Sequence, residues 1–148
     1  MSSLQDELRA DHAQLDQELA ELLAAAERGG PAEFDRRWGD FESRLLAHME
    51  AEEQHIFPLF ERAEAEEVRA LREEHAELRS LLVEAAGSES RPTLMQRAAT
   101  RLAQVLKKHG SRENGLLYVL VEVATDYELG RSVREFKART FETLRDPS

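Results

Sequence analysis

Two glutamates stand where a helix core asks for leucine, and each follows a histidine by four residues. They are Glu52 in His48-Met-Glu-Ala-Glu52 and Glu113 in His109-Gly-Ser-Arg-Glu113. Four residues is a little over one helical turn, so each histidine shares a face with its glutamate. That face is also the apolar stripe of its segment. A carboxylate buried without a partner costs several kcal/mol, so it takes up a proton or finds a cation. Two such pairs, with further histidines on other stripes, point to a metal site inside a helical bundle.

The stripes define the helices. Leu4, Leu8, His12, Leu15, Leu19 and Leu22 repeat at three and four in a first helix over about residues 3–28, with Ser3 as its N-cap. Gly29-Gly30-Pro31 ends it, and Pro31 suits the first turn of the next. That second stripe runs Phe34, Trp38, Phe41, Leu45, His48, Glu52, His55, Leu59, and Pro58 should kink or end the helix. A third helix over about 64–86 carries Val68, Leu71, His75, Leu78 and Leu82, followed by a loop over 87–92. A fourth, from about Thr93, carries Ala98, Leu102, Val105, His109, Glu113, Leu116 and Leu120. Gly110 and Gly115 are unusual inside it, and their small size would let another helix or a ligand approach. A last amphipathic helix is expected over about 129–144, with Val133, Phe136 and Phe141.

The chain also repeats itself. Leu8-Arg-Ala-Asp-His12-Ala-Gln-Leu15 matches Leu71-Arg-Glu-Glu-His75-Ala-Glu-Leu78 at five of eight positions, and His48xxxGlu52 matches His109xxxGlu113. Two similar hairpins facing each other make an all-α, up-down-up-down four-helix bundle over about 3–127, with an additional C-terminal helix, in one domain.

Composition narrows the chemistry. The 148 residues contain no cysteine, which removes disulfides, thiolate metal sites and iron–sulfur clusters. The formal net charge is -10 and no basic cluster stands out, so no nucleic-acid partner is expected. No apolar run approaches the about 18 residues that a membrane span needs. The first residues lack a basic, apolar leader, so cytoplasm is the default expectation.

Any metal must therefore use nitrogen and oxygen. A mixed histidine and carboxylate set suits iron, manganese or zinc. His12, His48, His75, His109, Glu52 and Glu113 are too many for one tetrahedral zinc. They divide evenly between two ions and leave open positions. The plainer alternative is a metal-free core whose histidines are neutral and hydrogen-bonded.

His55 lies on the same stripe, seven residues past His48. It could be an extra ligand, a group hydrogen-bonded to a ligand, or simple core. Tyr118 could be an extra ligand, or a group hydrogen-bonded to a ligand or to a bound oxygen species, although a boundary tyrosine with a wet hydroxyl is the more ordinary reading, as for Tyr127. Trp38 and the helix-2 phenylalanines read as core. Glu50, Glu53, Glu73, Glu74 and Glu77 read as solvated faces, with Glu53 notable for its place beside Glu52. The acidic run Glu61, Glu64, Glu66, Glu67 reads as surface.

Over about residues 4–120 this pattern resembles the hemerythrin-like (HHE cation-binding) family of single-domain bacterial proteins, with its H–HxxxE–H–HxxxE arrangement. The stretch from His48 through Glu52-Glu53 to Phe57-Pro58 resembles the family's own ending of that helix. The resemblance implies a non-haem di-iron centre, oxo- or hydroxo-bridged, in a four-helix bundle. Glu52 and Glu113 would bridge the irons, His12 and His48 would complete one, and His75 and His109 the other. Oxygen-carrying hemerythrins have a second histidine on helix 3, four residues after the first, where this chain has Arg79. That departure leaves an open position and argues against reversible oxygen transport. Asn114 stands where the first hairpin has Glu53, and Tyr118 where it has Phe57, which implies a wetter or differently hydrogen-bonded site on that side.

Two functions follow as expectations. One is reaction with oxygen or peroxide at a di-iron centre, in a catalase-like sense, with turnover left open. The other is non-catalytic binding: iron storage, or sensing of oxygen, nitric oxide or iron.

Overall fold

The computed structural model describes residues 3–28, 31–87, 92–118, 121 and 127–145. Among them every regular element is helical. The expected breaks at Gly29-Gly30 and over 88–91 lie outside the described residues, as do Leu120 and the side chains of Leu116 and Tyr127.

α1 spans Leu4–Arg28 and opens where Ser3 Oγ accepts a 3.1 Å hydrogen bond from the Asp6 amide. That satisfies one orphan amide of the first turn and contributes about 1 kcal/mol. α2 spans Pro31–Ala51, α3 Ala65–Ala86, α4 Pro92–Arg112 and α5 Tyr127–Arg145. α1 packs on α2 and α4, and α3 packs on α4 and α2, which closes the four-helix bundle. α5 is the additional helix and lies principally along α2. Among the described residues no helix is long and apolar enough to cross a membrane.

Both second helices of the hairpins depart from the α-period at the same place. α2 passes through a π-helical turn at Glu52–Ile56 before a last turn at Phe57–Phe60. α4 passes through another at Glu113–Leu117. In each, the amide five residues on, Phe57 or Tyr118, bonds back to the glutamate carbonyl. A π turn holds one more residue than an α turn, so the buried stripe slips by one position beyond it. This corrects the expected continuation through His55 and Leu59. Leu59 is 55% exposed, whereas Ile56, Phe57 and Phe60 are buried. In α4 the slip buries Leu117, Tyr118 and Val121. Pro58 follows the π turn in the first turn of Phe57–Phe60, and the helix ends two residues beyond it, close to where a kink or end is expected.

The core falls into two apolar layers. One, built around Leu15, Leu19, Phe41, Leu45, Leu78 and Leu102, includes Phe34 and packs Trp38 at its edge. The other contains Leu4, Leu8, Ile56, Phe57, Leu71, Leu117 and Val133. Each fully buried leucine contributes about 2 kcal/mol. Between the layers lies a band of polar side chains.

Candidate metal centre

The polar band collects one histidine from each of the four bundle helices and one glutamate from each π turn. His12, His48, His75, His109, Glu52 and Glu113 are all buried, both glutamates fully. Their ligand atoms form two groups, each with all atoms within 4.8 Å of one another. One is His12, His48, Glu52 and Glu113; the other is His75, His109, Glu52 and Glu113.

Each glutamate touches both groups. Glu113 Oε1 lies 3.0 Å from His12 Nε2 and 3.0 Å from His109 Nε2. Glu52 Oε1 lies 3.4 Å from His48 Nε2 and 3.3 Å from His75 Nε2. A carboxylate placed between two sets of imidazoles in this way can bridge two ions.

All four rings turn Nε2 inward because a neighbouring helix holds Nδ1. His48 Nδ1 donates to Asp11 at 3.1 Å and His12 Nδ1 to Asn114 Oδ1 at 3.1 Å. His75 Nδ1 donates to Glu53 at 2.7 Å and His109 Nδ1 to Glu74 at 2.8 Å. These oxygens only accept, so Nδ1 carries the proton and Nε2 is left with its lone pair toward the centre. Surface cations secure the three carboxylates in turn. Lys137 of α5 pairs with Asp11. Arg79 grips Glu53 through two 2.8 Å bonds, and Arg112 reaches Glu74 at 2.9 Å. The sequence reading of Glu53 and Glu74 as solvated faces is therefore corrected: both are partly buried and orient ligand-type histidines. Glu73 and Glu77 are exposed. Within the acidic run, Glu61 pairs with Arg72 and Glu67 with Arg112.

The arrangement fits a metal. Glu52 Oε1 and Glu113 Oε2 are buried with no hydrogen-bond partner. His75 Nε2 and His109 Nε2 face each other at 3.0 Å although both Nδ1 atoms already donate outward. Two lone pairs at that distance repel unless a proton or a cation lies between them. Without an ion the layer resolves the conflict by protonation. Burial opposes charge on His109, but Glu113 and Glu74 push it up to about 10. Burial likewise opposes charge on His48 and His75, yet the facing carboxylates push both above the usual histidine range. Burial raises Asp11 and Glu53, and His48 with Lys137, or His75 with Arg79, outweigh it and hold each at about 2.

Tyr118 is fully buried, with its hydroxyl in the centre, donating to Glu52 Oε2 at 2.5 Å. This overturns the boundary reading; of the two expectations for that side, the different hydrogen bonding is the one found, through Asn114 and the Tyr118 hydroxyl. Burial, with Glu113 and Glu52 nearby, pushes the phenol well above its ordinary range. The π turn explains the miss, since an α-period turns residue 118 away from Glu113. His55 is in neither group. It is half-buried, with its ring edge-on to Phe136 of α5 at 5.0 Å, and its Nε2 has no hydrogen-bond partner. Gly110 does admit a neighbour: a Cβ there would lie 3.3 Å from His12 Nδ1. Gly115 admits nothing, with open space around it.

Among curated proteins and among solved structures none matches this chain. The family model for the hemerythrin HHE cation-binding domain matches residues 3–121, which takes in all four bundle helices and both π turns. The chain belongs to the hemerythrin HHE cation-binding family.

Proposed function

We propose that this cation-binding domain holds two iron ions, one at His12, His48, Glu52 and Glu113 and one at His75, His109, Glu52 and Glu113, and that oxygen or peroxide is its reactant. The observation that carries the reading is the inward set of four Nε2 atoms around two glutamates that each touch both groups. Four ligands per ion, two of them shared, leave positions free on each ion for water or a small oxygen species. Mixed nitrogen and carboxylate donors suit iron, and also manganese or zinc. Bound iron would supply one-electron redox chemistry and a binding position for dioxygen, peroxide or nitric oxide.

The protein's own part is orientation and exclusion. Asp11, Asn114, Glu53 and Glu74 lock the ring tautomers, so the ligand atoms are in place before an ion arrives. The two apolar layers keep bulk water from the centre. Metal content and the visible spectrum of the purified chain, followed by oxygen evolution from peroxide, test the proposal. About two irons per chain and turnover above free iron support it in full. Iron without turnover leaves a binding protein, and no iron uptake under anaerobic ferrous loading removes the reading.

A second, non-catalytic reading as a sensor rests on α5. Its Lys137 pairs with Asp11, which holds His48, so the last helix touches a residue that orients a ligand. Hydrogen exchange over residues 129–144 with and without iron separates the two. Unchanged protection counts against sensing through α5.

A further inference from the structure

Tyr118 places an oxygen among four ligand atoms of one group. Its hydroxyl lies 3.0 Å from His12 Nε2, 3.2 Å from His48 Nε2, 2.5 Å from Glu52 Oε2 and 3.3 Å from Glu113 Oε1. Three ligand-atom pairs of that group are spaced in a comparable range, and all of its ligand atoms lie within 4.8 Å of one another. His12 Nε2 is 3.0 Å from Glu113 Oε1, and His48 Nε2 is 3.4 Å from Glu52 Oε1 and 3.9 Å from Glu113 Oε1. Ligands bonded at about 2.1 Å stand about 3.0 Å apart at an octahedral edge and about 3.4 Å at a tetrahedral one. An atom at the centre of such a polyhedron is about a third closer to each corner than the corners are to one another. Apart from its 2.5 Å hydrogen bond to Glu52 Oε2, the Tyr118 oxygen is not; at 3.0, 3.2 and 3.3 Å from the other three atoms it is spaced as a further corner.

Among the described residues the other group has no such oxygen. Phe57 follows Glu52 by five residues as Tyr118 follows Glu113, each across a π turn. The two rings occupy matching places: Tyr118 lies 5.1 Å from the His12 ring at 22°, and Phe57 lies 5.1 Å from the His75 ring at 32°. Where Tyr118 directs a hydroxyl at the ligand atoms, Phe57 has only ring carbon.

We propose that Tyr118 is a seventh protein ligand of the centre, bound as phenolate to the ion held by His12, His48, Glu52 and Glu113, which makes the two metal positions chemically unequal. The inference rests on the di-iron reading above. Ligation breaks the phenolic O–H bond and forms an oxygen–metal bond. The proton leaves through Glu52 Oε2, which already accepts the phenol's hydrogen bond, to solvent, and no electron is transferred. In the metal-free protein the same hydroxyl keeps its proton and ties Glu52 to the His12 side.

The test loads the full chain with ferrous iron, oxidises it in air, and records the visible spectrum and resonance Raman scattering. Phenolate bound to ferric iron has a charge-transfer band in the visible, and excitation within it enhances tyrosinate ring vibrations. The chain has two tyrosines, so assignment is direct. The band and vibrations are expected in the wild type and in Tyr127→Phe, and are lost in Tyr118→Phe at equal iron content. Should Tyr118→Phe fold poorly, the wild-type Raman spectrum decides alone, with ring-deuterated tyrosine shifting the vibrations. Iron-loaded wild type without tyrosinate vibrations, or Tyr118→Phe with an unchanged spectrum, overturns the proposal and leaves the di-iron reading standing. A chain that binds no iron overturns both.

Discussion

Glu74 is the chain neighbour of His75, yet it holds His109 across the bundle through a 2.8 Å contact to Nδ1. The same crossing recurs throughout the centre. Asp11, beside His12, holds His48; Glu53, beside Glu52, holds His75; Asn114, beside Glu113, holds His12. Four of the six ligand-type residues, His12, Glu52, His75 and Glu113, are thus followed or preceded by the residue that orients a histidine on another helix. Partners of this kind typically set 10–100-fold of metal affinity. Glu74→Ala is therefore expected to weaken metal binding by about 10-fold or more, with helix content unchanged. Competition against a chelator measures it, and wild-type affinity in the variant would show that His109 needs no such support.

Glu113 is the most exacting of the six. Its Oε1 faces both His12 and His109 at 3.0 Å. Glu113→Gln removes the charge that, against burial, raises His109 to about 10, so that histidine should titrate lower. Breaking a buried pair costs about 3 kcal/mol in the metal-free protein. Fewer ions per chain are expected as well. Nitrogen NMR of the imidazoles and denaturant titration of the chelated protein report the two effects separately. An unmoved His109 would mean that Glu113 is not its partner.

The metal-free bundle should have a bounded pH range of greatest stability. His109, raised to about 10 when folded, adds stability that is complete below its unfolded value, about 6.5, and is lost as pH rises through about 10. Asp11 and Glu53, both about 2 when folded, add stability that is complete above their unfolded values, about 4, and is lost as pH falls through about 2. Melting temperatures of chelated protein are expected to peak between about pH 4.5 and pH 6.5 and to fall on both sides. A flat profile to about pH 9 would contradict the buried imidazolium layer. Metal uptake must displace these protons, so affinity should also weaken toward acid pH.

Two glycines of α4 and its π turn should respond oppositely. Gly115→Ala meets open space and should stabilise the bundle by about 0.5–1 kcal/mol through helix propensity. Gly110→Ala places a methyl 3.3 Å from His12 Nδ1, crowding the ring against Asn114. Its expected signature is weaker metal binding at the His12 position, whatever the melting temperature does. Equal metal affinity in both variants would show that the His12 ring can move freely.

The helices and the spacing of the six polar stripe residues could be read directly, because an acid or imidazole on a leucine stripe leaves a local mark. The π turns could not. Nothing in Glu52-Glu-Gln-His-Ile56 or Glu113-Asn-Gly-Leu-Leu117 demands five-residue hydrogen bonding, so an uninterrupted α-period put His55 and Leu59 inward and left Tyr118 at the boundary. Glu53 and Glu74 were equally hidden, since an acid on the flank of a helix looks the same whether it meets water or a ring nitrogen. Their adjacency to His75 and Glu52 was the available signal.

Neither hairpin owns a complete group. The first supplies His12, His48 and Glu52, and the second His75, His109 and Glu113, so each group borrows a glutamate from the other half. Local opening of one hairpin would thus dismantle both metal positions at once. Metal occupancy would couple the halves into a single cooperative unit, and the loaded bundle should then exchange its core amides only through global unfolding.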